Sequence, residues 1–246
     1  MQTLASVQDA LARGDHDEVL RLTDAILAER PGDDAAHELR ARALLALQRF
    51  EDAQAHAFDA VRLDPDEVRY RELLAEVLSA EGAHREAAVE YARLARGDPR
   101  QRAWTLAEAE ERLGADQTGP AADAARRAVR LDPADAEAQL TLARALLRRG
   151  DASGALRAAA AAVELRPGDL GARETLADAQ WLADRDAAAF AEFRALAGEL
   201  SGADRERVRA KARALYAQHA GFWGRLAIAV PGLFPLGLER GWLSVR

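Results

Sequence analysis

FEDAQAHAFDAVRLDP, residues 50–65, closes on a proline, and the same phrase returns at a fixed interval. Residues 16–31 read HDEVLRLTDAILAERP, residues 84–99 HREAAVEYARLARGDP, residues 119–133 GPAADAARRAVRLDP and residues 152–167 ASGALRAAAAAVELRP. Pro31, Pro65, Pro99, Pro133 and Pro167 follow one another at 34 residues. A fixed period of this length marks a repeat array. Inside each phrase small or apolar residues recur at helical spacing, as Ala53, Ala57, Ala60 and Val61 do. The helix is predicted to stop just before the proline, which disfavours helix in its predecessor and cannot continue the hydrogen-bond ladder.

A second helix precedes each phrase. Leu39 to Leu47 lead to Phe50; Leu73, Leu74, Val77 and Leu78 lead to Gly82; Leu142, Ala143, Leu146 and Leu147 lead to Gly150. Glycine at a helix end supplies the left-handed residue that closes it. Each 34-residue unit thus reads helix, short turn, helix, proline turn. Three units depart from the rest, the sixth with Trp181 within its first helix and Phe190 and Phe193 in its second. The first is short, with Thr23 where a bulky residue is usual. In the fourth, residues 114–120, GADQTGP, predict a longer turn, with Pro120 at the first position of the next helix.

The chain resembles the tetratricopeptide repeat family. Leu74-Ala75, Leu142-Ala143 and Leu176-Ala177 match its large–small pair, with Leu44, Leu78 and Leu146 one turn later in their units. Ala53, Ala87, Ala121 and Ala155 open the second helix's packing face, and Tyr91 fills the aromatic place. The resemblance implies an all-α, right-handed α-solenoid over residues 1–202, in six repeats at about 2–33, 34–67, 68–101, 102–135, 136–169 and 170–202. A capping helix over 203–220 and an apolar, Pro/Gly-containing tail over 221–246 are expected to follow.

Composition agrees with a folded helical protein: 49% of residues are hydrophobic and 30% charged, too apolar for disorder. The absence of cysteine excludes disulfides and thiolate zinc sites. The first residues show no basic start before an apolar run, and no long uninterrupted apolar stretch occurs, so a cytoplasmic location is expected, with membrane association at the inner face under the tail-anchor reading. The net charge of −7 is uneven. Eight basic against three acidic residues between Ala203 and Arg246 make that end +5 and the remainder −12.

No catalytic, cofactor-binding or metal-binding residue is predicted. His16, His37, His56, His84 and His219 fall into no triad or HExxH spacing, and no phosphate-cradling glycine motif occurs. An enzyme is the remotest reading. The acidic body argues against nucleic acid, which needs clustered positive charge. The resemblance instead implies a protein-interaction scaffold holding a peptide or protein partner in a concave groove. By helical phase the groove residues are Glu38, Arg42, Arg69, Glu72, Glu76, Ser79, Glu137, Arg144, Arg148, Glu174 and Asp178. The Lys/Asn clamp with which some family members hold acidic chaperone C-termini cannot be present, because Asn is absent and Lys211 is the only lysine.

The tail supports an alternative. Arg205, Arg209 and Arg213 lie one turn apart, and Phe222, Trp223, Phe234 and Trp242 would then insert at a membrane surface, making the chain a peripheral adaptor through residues 203–246. Folding back of Phe222–Leu238 to seal the last repeats is preferred, because an uncapped array needs covering; the capping helix carries Val208, Ala212 and Leu215 as its apolar stripe. The patch could also bind a partner or a second copy.

Overall fold

The computed structural model describes residues 3–229, with side chains over residues 3–218. The described residues hold thirteen helices and no strand: α1 (Leu4–Ala12), α2 (His16–Glu29), α3 (Asp34–Ala46), α4 (Phe50–Leu63), α5 (Val68–Glu81), α6 (His84–Gly97), α7 (Arg102–Gly114), α8 (Thr118–Leu131), α9 (Ala136–Arg149), α10 (Ala152–Leu165), α11 (Leu170–Leu182), α12 (Asp186–Glu199) and α13 (Gly202–Ala229). From α3 onward, first helices start at residues 34, 68, 102, 136 and 170, and their partners at 50, 84, 118, 152 and 186. The predicted all-helical repeat fold is therefore present, with the period of its prolines. The chain divides into two compact units, Met1–Pro133 with α1–α8 and Ala134–Arg246 with α9–α13.

Packing within each pair rests on alanine. Ala41, Ala75, Ala109, Ala143 and Ala177 share one register in the first helices; Ala53, Ala87, Ala121, Ala155 and Ala189 share another in the second. All ten are fully buried. A methyl side chain at these sites lets one helix's ridges sit in its partner's grooves at short axial separation. Larger side chains then fill the space on either side. In the first unit Leu44, Leu73, Leu74, Val77 and Leu78 join Ala41, Ala53, Ala57 and Ala87 in one cluster. Each buried leucine contributes about 1.5–3 kcal/mol. Second helices that bury small residues alone include α8, with Ala121, Ala122, Ala124, Ala125 and Ala128, and α10, with Gly154, Ala155, Ala158, Ala159 and Ala162.

The turns inside the pairs share one device. Gly14, Gln48, Gly82, Asp116, Gly150 and Asp184 all have positive φ, between 55° and 85°, and again stand 34 residues apart. The sequence reading assigns this role to Gly82 and Gly150. It extends to Gln48, Asp116 and Asp184 because the helix hydrogen bonds on both sides fix the left-handed residue at that place whatever its side chain. This also corrects the fourth turn. α7 ends at Gly114 and α8 starts at Thr118, so the turn has three residues, like those before α4 and α12. Pro120 is the third residue of α8, where the backbone N–H has no intrahelical partner to lose.

The proline turns are equally uniform. Each proline follows the cap residue that ends the second helix, and two residues on a polar side chain opens the next first helix. Asp33, Asp135 and Asp169 accept from the N–H groups of Ala36, Glu137 and Ala172 at 2.9–3.0 Å, removing orphan donors of the helix start.

In the second unit α13 lies against α11 and α12. Val208, Ala212 and Leu215 are buried with Ala177, Ala189, Phe190, Phe193 and Leu196. The backbone of α13 stays helical to Ala229, past Ala220, where the sequence reading ends it; the first proline after Gly202 in the sequence is Pro231.

The turn device can be tested at Gln48. A side chain in the left-handed region costs about 1–2 kcal/mol, and glycine removes this cost against a smaller entropic penalty. Gln48→Gly should therefore raise the unfolding free energy by roughly 0.5 kcal/mol in urea denaturation, whereas Gly150→Val should lower it.

Candidate binding faces

In the first unit the predicted groove residues fall on α3 and α5 and reach α7. Glu38 is buried and bonded to Arg42 one turn on, at 2.5 Å. Arg69 donates to the Tyr70 hydroxyl at 3.2 Å and its guanidinium lies 5.0 Å from that ring. Tyr70 in turn donates to Asp34 at 2.8 Å, and burial, then Asp34, push its hydroxyl up to about 12. Glu72 accepts the Trp104 indole N–H at 2.8 Å, and Ser79 donates to Glu111, which also meets His84 at 2.8 Å. These bonds span 27–36 residues of chain, so they tie helices together as well as line a face.

The face between α5 and α7 is acidic. Glu76 is solvent-exposed there, yet its carboxyl is pushed up by partial desolvation; nearby Arg42 pulls it down and Glu72 pushes it up. The Tyr91 hydroxyl is raised to about 12 by burial and by the charges of Glu76, Glu111, Glu72 and Glu110. Four carboxylates are therefore felt at one aromatic side chain. Of the predicted basic residues, Arg42 acts on this set, at Glu76.

In the second unit Glu137 is 3.9 Å from Arg166, and Arg144 and Arg148 are exposed on α9. Glu174 and Asp178 are in a different situation. Arg207 donates to Glu174 at 2.7 and 3.1 Å, and Lys211 bonds Glu174 at 2.8 Å and Asp178 at 2.6 and 2.8 Å. Burial pushes the Glu174 carboxyl up, but Arg207 and Lys211 outweigh it and hold it below its usual value. At Asp178 burial wins over Lys211 and the carboxyl is raised. Both side chains are thus engaged within the chain by α13. Arg205, Arg209 and Arg213 lie on the other side of α13, and Arg209 pairs with Glu206. The Phe222 and Trp223 side chains, Phe234 and Trp242 lie outside the described residues. No helix among the described residues is long and apolar enough to cross a membrane.

One polar register escaped the sequence reading. Residues 19 apart join the two helices of a pair: His37 with His56 at 2.9 Å, Arg71 with Glu90 at 2.8 Å, and Arg173 with Glu192 at 2.6 Å. His37 and Arg71 also reach the carbonyls of Pro31 and Pro65, at 3.0 and 3.3 Å. The signal was present as polar residues at matching places in the 34-residue frame. A related signal is the large residue of the large–small pair, which is polar in two units. Arg40 there donates to His56, Thr23 and the Leu20 carbonyl and pairs with Asp24. Buried Glu108 accepts from Arg112 and Arg127.

His37, His56 and Asp59 bring three metal-ligand atoms within 4.8 Å of one another. The protons oppose a cation. Arg40 can only donate, so His56 accepts through Nε2 and carries its proton on Nδ1, which donates to His37 Nδ1. His37 then donates through Nε2 to Pro31. The Nε2 lone pair of His56 therefore faces Arg40.

Comparison with known proteins now fixes the family. Profiles described as tetratricopeptide repeat match residues 10–77, and residues 106–169 and 140–204; together they span more than half of the chain, which belongs to that family. No curated protein sequence matches. Among solved structures, a tetratricopeptide repeat protein from Parabacteroides merdae superposes with a TM-score of 0.70 at 16% identity, over 88% of this chain and 85% of that one. YrrB, described as a TPR protein with an unusual peptide-binding site, gives 0.59 at 20% identity over 71% and 90%. MamA from Desulfovibrio magneticus gives 0.60 at 20% over 67% and 94%. At these identities the likeness is one of fold.

Two outcomes follow from these contacts. His56 is held below its usual pKa by burial, by Arg40 and by His37, against Asp59 and Asp52. A histidine depressed in the folded state contributes stability above about pH 6.5 that is lost as pH falls towards its folded value. The thermal midpoint should drop between neutral and mildly acidic pH, and His56→Gln should flatten that part of the profile. Lys211→Met should strip both carboxylates of a donor and weaken α13 docking by about 1–2 kcal/mol, the pair being partly solvent-screened. Hydrogen exchange over residues 202–218 would report it.

Proposed function

We propose that this chain is a non-catalytic scaffold that binds an extended peptide or protein segment through the first-helix face of its first unit, and that the bound segment is basic. The tetratricopeptide fold serves protein–protein interaction in general, and the family is generally non-catalytic. The observation that carries the finer reading is the crowding of Glu72, Glu76, Glu110 and Glu111 around Tyr91. Like charges held close together raise the free energy of the unbound face, and a cationic side chain relieves it. Trp104, fixed by its bond to Glu72, adds a flat apolar surface beside them, over which a guanidinium or ammonium group is favourably placed.

The binding mechanism is preorganisation. Bonds from Tyr70 to Asp34, Trp104 to Glu72 and Ser79 to Glu111 hold the side chains before any partner arrives, so little ordering cost falls on the receptor. Glu174 and Asp178 are left out of this reading, because α13 already neutralises them.

Calorimetric titration of the full chain with an Arg/Lys-containing peptide tests the proposal. Binding should weaken with salt, and Glu76→Lys combined with Glu110→Lys, both exposed positions, should lower affinity by about tenfold or more. Equal affinity of the double variant would contradict it.

A further inference from the structure

A cleft of about 700 Å³ opens in the fourth repeat beside α7. Its origin is the 19-residue polar register. The third repeat fills the corresponding space with Arg71 and Glu90, and the fourth has Thr105 and Ala124 at those two places. Thr105, buried at the cleft wall next to Pro99, is too short to make the reach that Arg71 makes to the Pro65 carbonyl. Side-chain volume is lost at these two places, while Arg112 and Leu131, at the places of Leu78 and Gly97, line the cleft.

The charge that remains is one-sided. Arg96, Arg112, Arg127 and Arg130 line the cleft with Glu108 as its one acid, a local excess of positive charge in a chain of net −7. Glu108 serves Arg112 and Arg127. Arg96 donates only to the Ala92 carbonyl of its own helix, and among the described residues no carboxylate lies within ion-pair distance of Arg96 or Arg130. In the third repeat Glu90 accepts from both Arg71 and Arg93, at 2.8 and 2.6 Å. Arg127 is the in-register equivalent of Arg93. In the fourth repeat that cation is paired instead with Glu108 of α7, and the cleft cations left without a carboxylate partner among the described residues are Arg96 and Arg130.

We propose that this cleft is a second binding site, which takes a carboxylate side chain from an acidic segment of a partner protein. The chemistry is read from the charge of the lining, four arginines against Glu108, for which a carboxylate is a planar acceptor suited to guanidinium forks. Leu131, exposed at the cleft edge, gives an adjoining apolar contact, so the fitting segment carries an acidic residue beside an apolar one. The site differs from the acidic face of the first unit in position and in the sign of its partner.

The test uses the full chain and a fluorescent Glu/Leu-containing peptide read by anisotropy, with its Glu→Gln counterpart and inorganic phosphate as competitors. Two variants are compared. Arg96→Glu with Arg130→Glu reverses two exposed charges; Thr105→Arg with Ala124→Glu rebuilds the Arg71–Glu90 pair and fills the cleft. Each should weaken the acidic peptide by about tenfold or more, whereas Glu76→Lys with Glu110→Lys should not weaken it. Should the refilled variant fail to fold, as judged by circular dichroism, the charge-reversed variant alone decides. Undiminished binding to the charge-reversed variant, equal binding of the Gln peptide, or displacement by phosphate as effective as by the acidic peptide would each overturn the proposal.

Discussion

Two helices can pair at short distance only where their facing side chains are small, and this chain meets that condition at ten fully buried alanines in two fixed registers. The remaining structure depends on it. A close pair leaves room on its flanks for Leu44, Leu73, Val77 and their equivalents, and it sets which side chains on the two helices can touch. The polar bonds 19 residues apart exist because the alanine registers bring those positions together in each pair. A left-handed residue at one end of each pair and a proline turn at the other fix the length of the helices, so the register cannot drift.

Within this frame, function is a matter of which positions depart from the repeat. The frame itself is apolar and chemically inert. Its polar places differ from one repeat to the next: a histidine pair, an arginine–glutamate pair, then a cleft where that pair is missing. The acidic set around Tyr91 and the arginines around Thr105 lie on successive repeats of one unit. In the second unit the corresponding acids are satisfied by α13, whose Lys211 amine also sits 5.7 Å from the Phe193 ring. That helix covers the apolar end of α11 and α12 and neutralises their charge at once.

The fold was legible in the sequence because its causes are local and periodic. Prolines, alanines and the Leu-Ala pairs repeat at 34 residues, and each acts through its own backbone or its immediate neighbours. The left-handed places at Gln48, Asp116 and Asp184 were less legible, since the residue type there does not announce the conformation the turn imposes. The site was legible only in part. Helical phase placed Glu38, Arg42, Glu72, Glu76 and Ser79 on one face, but phase says nothing about partners. Glu174 looked like an open groove acid because Arg207 and Lys211, which bond it, are 33 and 37 residues away. Lys211 was in view in the sequence as the only lysine, and its role depends on the burial of Val208 and Leu215, which orients that side of α13 inward.

The two proposed binding places of the first unit are most directly tested by hydrogen-exchange protection of the full chain with a basic peptide, with an acidic peptide, and with both. Protection is expected on α5 and α7 with the first, on the end of α6, on α7 and on α8 with the second, and on both sets together with the third. Protection of a single common region by either peptide, or mutual exclusion of the two, would contradict two separate places.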